Sequence, residues 1–127
     1  TSTLRLALPA AAGVLVAGCG VSDEVVGPLG EPASEVAIGL TEWALVTGAD
    51  GPAPGNVTVD VTNSGATAHD LVVEGEHGRW QTPVLAAGET HTLEIVVAAG
   101  EVLHLECTVP GHHSQGMHLL LQAHGAT

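Results

Sequence analysis

The chain contains no phenylalanine and no tyrosine, only two tryptophans, Trp43 and Trp80, and a single methionine, Met117, among 127 residues. Any core must then be assembled from Val, Leu, Ile and Ala, and at this length one modest β-type domain is what they can fill. Basic residues are nearly missing too. Two Lys and Arg face fourteen Asp and Glu, giving a formal charge of −12 with neutral histidines. Nucleic-acid binding neutralises phosphates with Lys and Arg, so no nucleic-acid partner is expected. The acidity favours solubility and can steer a cationic partner. Cysteine is scarce as well: Cys19 follows an apolar leader and Cys107 sits among His and Met, contexts too different to read as one disulfide.

The leader has its own logic. Leu4 to Val16 is apolar with Arg5 near its start, too short for a span of ~20 residues and about right for the hydrophobic region of an export signal. It ends in Val16-Ala17-Gly18-Cys19, which resembles a bacterial lipobox, whose cysteine becomes lipid-modified and begins the mature protein. Residues 1–18 are therefore expected to be a signal peptide and Cys19 a lipidation site. Residues 19–35, with Gly27-Pro28, Gly30 and Pro32 among acidic and small residues, show no sustained period and read as a lipid-anchored flexible linker. The protein would sit outside the cytoplasm as a periplasmic lipoprotein, anchored to the outer face of a bacterial membrane through Cys19.

Residues 36–127 read as the functional domain. Val36, Ile38 and Leu40 share one face, after which Trp43 and Leu45 continue with opposite parity, as a bulge near Thr41 or Glu42 would produce. Val57, Val59 and Val61 alternate with polar residues until Asn63-Ser64-Gly65, a strong turn signal. His69 shares parity with Leu71 and Val73, so a strand reaching back to it points its imidazole inward. Leu93, Ile95 and Val97 form another face, Leu103, Leu105 and Cys107 the next, and Met117, Leu119 and Leu121 the last. Short strands separated by turns, with no long helical period, indicate an all-β, Greek-key antiparallel sandwich.

Histidine is what the chain has in excess, with eight residues. Cys107-Thr108-Val109-Pro110-Gly111-His112-His113-Ser114-Gln115-Gly116-Met117 places Cys, His and Met at C-x4-H-x4-M between two strands. Pro110-Gly111 suits the turn that doubles this loop back. His69 can add a fourth group from another strand end. One thiolate, two imidazoles and a weak thioether form the ligand set of a type 1 copper centre. Soft sulfur favours Cu(I), imidazole suits both oxidation states, and a fixed geometry keeps rearrangement small.

These segments, with Asn63-Ser64-Gly65 and Ala68-His69-Asp70-Leu71 ahead of them, resemble the cupredoxins, the blue copper family of plastocyanin and azurin, over roughly residues 36 to 124. The resemblance implies a cupredoxin-like copper-binding domain over 36–127. It implies equatorial ligands His69, Cys107 and His112, an axial Met117, and Asp70 and Thr108 as outer groups tying the two ligand loops together. The Pro-Gly-His register favours His112 over His113. Family members commonly carry Asn where Asp70 stands, and often aromatic residues where this chain has Val102 to Glu106. His112, expected to present the more exposed imidazole edge, is therefore the favoured electron port. His77, His91, His104, His113, His118 and His124 read as ordinary exposed histidines, and Trp43 and Trp80 as packing.

The expected function is single-electron transfer between extracytoplasmic redox proteins by one type 1 copper ion, with no enzymatic activity, because four filled positions leave no place for substrate. The partner's identity is not written in the sequence, and the chain is expected to act as a monomer. Alternatives are copper capture or delivery, which usually employs Cys pairs or Met-rich tracts, and a structural zinc site or metal-free adhesion module.

Overall fold

The structure, a computed structural model, describes residues 24–125. The expected signal peptide and Cys19 lie outside the described residues. In chain order the elements are β1 (Val25–Val26), β2 (Pro32–Ala33), β3 (Glu35–Thr41), β4 (Ala44–Thr47), β5 (Gly51–Pro52), β6 (Gly55–Asn63), β7 (Val72–Gly75), β8 (Gly78–Gln81), β9 (Thr90–Val97), β10 (Val102–Glu106), α1 (His112–Gln115) and β11 (His118–Gln122). One sheet runs β4-β3-β6-β9, the other β1-β11-β10-β7-β8, and β2 pairs with β5. The architecture is a two-sheet β-sandwich.

The period-2 pattern is what builds it. Val57, Val59 and Val61 on β6 and Leu93, Ile95 and Val97 on β9 are all buried, and they face Val73, Leu103, Leu105 and Leu121 of the other sheet in one core. Each of these side chains contributes about 1.5–3 kcal/mol on full burial. β-branched Val suits the pleated surface, and the core closes with aliphatic residues and the two sulfur side chains Cys107 and Met117, only Trp80 packing against it from the aromatic set. Two pairings, β3 with β6 and β1 with β11, are parallel, while the other pairs of the two main sheets are antiparallel.

Two local expectations change. The parity switch after Leu40 is a tight reversal, not a bulge. Thr41 pairs with Ala44 and Leu40 with Leu45 across a two-residue turn at Glu42-Trp43. Residues directly opposite on an antiparallel pair share a face, so the hairpin reproduces the parity change that a bulge would give.

The second change concerns the expected tether. Its described part is fixed on the sandwich: Val25 and Val26 pair with Leu120 and Leu121, and Pro32 and Ala33 with Gly51 and Pro52. The packed domain therefore starts by Val25, not at Val36. Gly30 shows why its composition misleads. Its φ is 48°, and a Cβ there would stand 2.4 Å from the Ala49 carbonyl oxygen, so this glycine serves close packing and a left-handed turn.

Candidate metal centre

Three connections meet at one end of the sandwich: the β3–β4 turn, the β6–β7 loop and the β10–β11 loop. The β6–β7 loop is organised by Asn63, whose side-chain amide donates to the carbonyls of Thr67 and Leu85 and whose Oδ1 accepts the Gly65 N–H. His69 then forms a bridge with Leu85 through two backbone hydrogen bonds, and its ring is fully buried. The ring is inward as expected, but through this isolated bridge and not through a strand reaching back from β7, which begins at Val72, and Asp70 and Val72 of the opposite parity are buried too.

Cys107 lies one residue past β10 and continues its inward face, fully buried. The loop after it folds back on itself. His112 N–H donates to Val109 O, Met117 N–H to His112 O, and Cys107 N–H to Met117 O. A short helix, α1, forms where the sequence suggested only loop, with Gly111 at φ 85° before it. These bonds bring Met117, also fully buried, beside Cys107 and His112.

Three donor atoms converge. His69 Nδ1 and His112 Nδ1 are 3.1 Å apart, Cys107 Sγ is 3.5 Å from His112 Nδ1, and it is 4.0 Å from His69 Nδ1. A triangle with sides 3.1, 3.5 and 4.0 Å has a circumradius of about 2.1 Å, matching the ~2.0–2.3 Å that imidazole nitrogen and thiolate sulfur keep from a d-block ion. One thiolate, two imidazoles and a buried thioether fit one type 1 copper ion. Burial pushes the Cys107 thiol up, so a metal entering this place displaces a proton.

Asp70 and Thr108 join the loops. Asp70 Oδ1 accepts the Thr108 N–H at 2.6 Å, Oδ2 accepts the Thr108 hydroxyl, and Gln81 Nε2 donates to Oδ2 at 3.1 Å. Burial raises the Asp70 carboxyl, but the Thr108 hydroxyl, the Thr108 N–H and the Gln81 amide more than offset it, leaving the pKa below the ordinary value. Gln81 is a further member that the sequence did not announce. Asp70→Ala, which unties the loops and strands a partly buried N–H, is expected to cost ~1.5–3 kcal/mol. Asp70→Asn keeps an acceptor for that N–H and should lose less than half as much. Urea unfolding of the two variants checks this, and equal losses would contradict it.

His113 stays outside the centre. Its side chain is 57% exposed, approaches Glu106 at 3.6 Å and stacks on His118 with ring centroids 4.3 Å apart. His124 is not a simple exposed histidine, since its Nε2 lies 2.7 Å from Leu29 O.

The sequence missed two neighbours, both from the β3–β4 turn. Glu42 Oε2 stands 2.7 Å from His69 Nε2. Trp43, 40% exposed, packs edge-on against His112 with centroids 4.8 Å apart and against His69 at 6.3 Å. Only the parity break at Thr41 hinted at this segment, and it carries no ligand signature.

No protein-family model matches the sequence, and no curated protein sequence matches it. Solved structures do. A dithionite-reduced auracyanin from the photosynthetic bacterium Roseiflexus castenholzii superposes with a TM-score of 0.62 at 19% identity, covering 72% of this chain and 98% of that one. Auracyanin B gives 0.56 at 21% identity, with 80% and 95% covered. Auracyanin A, a "blue" copper protein from Chloroflexus aurantiacus, gives 0.51 at 16% identity, with 70% and 97% covered. The chain thus has the cupredoxin fold it shares with these auracyanins, and its own thiolate, imidazole and thioether set fits one type 1 copper ion.

Proposed function

We propose that this chain is a single-electron carrier in which His69, Cys107, His112 and Met117 hold one type 1 copper ion. The observation that carries the reading is the triangle of Nδ1, Nδ1 and Sγ atoms, fixed by loops from two strand ends. Copper supplies the one-electron Cu(I)/Cu(II) couple at this place. The protein supplies rigidity. Backbone bonds lock His69 to Leu85 and Cys107 to Met117, and Asp70 ties their loops, so the donors need not move when charge changes. With Met117, buried and bonded through its backbone to Cys107 and His112, as the fourth donor, the centre suits electron exchange and offers substrate no vacant place.

His69 is fully buried, whereas His112 is half-buried and carries Trp43 against its ring. Electrons therefore pass through the His112 edge to a redox protein docked over it. The Leu4–Val16 leader and the Val16-Ala17-Gly18-Cys19 motif support an extracytoplasmic setting with a lipid on Cys19.

Voltammetry of the copper-loaded chain tests the carrier reading. One reversible one-electron wave is expected. Met117→Leu should retain copper and the wave but move it to higher potential, because hydrocarbon replaces a weak donor that favours the more electron-poor Cu(II). Copper lost on cycling, or an irreversible wave in the parent chain, would overturn the reading.

A further inference from the structure

The Glu42 carboxylate is seated with unusual completeness for a turn residue. Its two oxygens accept the Ala66 N–H at 3.0 and 3.1 Å, and Oε2 accepts the Thr67 N–H at 3.0 Å and the Thr67 hydroxyl at 2.7 Å. Gly65 makes room, since a Cβ there would lie 2.6 Å from Oε2. The same Oε2 reaches His69 Nε2 at 2.7 Å. The Ala66 N–H, the Thr67 N–H and the Thr67 hydroxyl all donate to this carboxylate, which leaves it an acceptor only.

An acceptor-only group facing Nε2 requires the proton to be on Nε2. The other ring nitrogen, Nδ1, is then the lone pair, and it is the atom turned toward Cys107 Sγ and His112 Nδ1. Carboxylate–imidazole–metal chains of this kind fix the tautomer and raise the basicity of the ligating nitrogen. A stronger donor and a nearby negative charge both favour Cu(II) over Cu(I).

We propose that Glu42 is a positioning residue of the metal centre, which fixes His69 as the Nε2–H tautomer and lowers the reduction potential of the bound copper. The tautomer follows from this chain's hydrogen bonds alone, while the potential rests on the copper reading above. The β3–β4 turn is thereby a third ligand-organising segment, reaching the metal through His69 without touching it.

Two measurements test this. Long-range proton–nitrogen NMR of the metal-free chain should show His69 protonated at Nε2, with a slowly exchanging proton; an Nδ1–H tautomer overturns the positioning role. In the copper-loaded chain, Glu42→Gln keeps size and an oxygen acceptor for the 66–67 N–H groups but loses the charge. Equilibration against a redox dye should show its Cu(I)/Cu(II) ratio raised about tenfold, ~59 mV for one electron. A blue Glu42→Gln protein with the parent potential would confine Glu42 to holding the loop and overturn the tuning role. A parent chain without a blue band would instead overturn the copper reading, and the NMR result would still decide the tautomer.

Discussion

Cys107→Ala should abolish the intense thiolate-to-Cu(II) charge-transfer band completely, the largest functional effect expected of any single substitution here. The band needs a sulfur anion bound to copper, and Cys107 Sγ is the sulfur that completes the triangle with the two Nδ1 atoms. The side chain is fully buried, so no solvent thiol substitutes for it readily. Histidines 69 and 112 remain in place and can still hold Cu(II), but as a pale imidazole site. Optical and EPR spectra of copper-loaded parent and variant make the comparison. A blue Cys107→Ala protein would assign the metal to another sulfur, and the chain's other cysteine is Cys19.

Leu71→Ala carries the largest expected effect on stability, about 2–5 kcal/mol, because it removes a buried branched side chain and leaves a cavity that the sandwich can refill only in part. Leu71 is 0% exposed and stands two residues beyond His69, at the entrance to β7. Its N–H donates to Thr82 Oγ1 and its carbonyl accepts the Thr82 N–H, so the backbone is held and cannot easily collapse into the void. Urea unfolding of the metal-free proteins reads the loss. Copper at one hundred times its dissociation constant should restore about 2.7 kcal/mol by mass action. A loss below ~1 kcal/mol would show that the two sheets pack more loosely around this position than its burial implies.

The sequence made these two residues visible for different reasons. Cys107 was legible because three donors lie within one eleven-residue loop whose Pro-Gly turn dictates its return. The parity of an alternating strand placed His69 and Leu71 inside, but for an incomplete reason: Asp70 and Val72, of the opposite parity, are buried as well, and β7 begins only at Val72. The same alternation exposed the faces of β3, β6, β9 and β10. What escaped is long-range. The two-residue strands β1 and β2 are too short to have a period, and their Gly and Pro content looks the same in a tether as in a closely fitted edge. Whether β3 runs parallel or antiparallel to β6 leaves no mark on either strand's own pattern. Glu42 escaped for a related reason: its partners Ala66, Thr67 and His69 are brought to it by the pairing of β3 with β6, and an acidic turn residue otherwise reads as solvated surface.

The electron-carrier assignment predicts a spectrum that can be cycled. Adding Cu(II) to the metal-free chain should raise an intense thiolate band that saturates at one copper per chain, bleaches on one-electron reduction and returns undiminished on reoxidation over repeated rounds. A chain that takes up only zinc, or that gives a colourless Cu(I) form without a stable blue Cu(II) state, would contradict it.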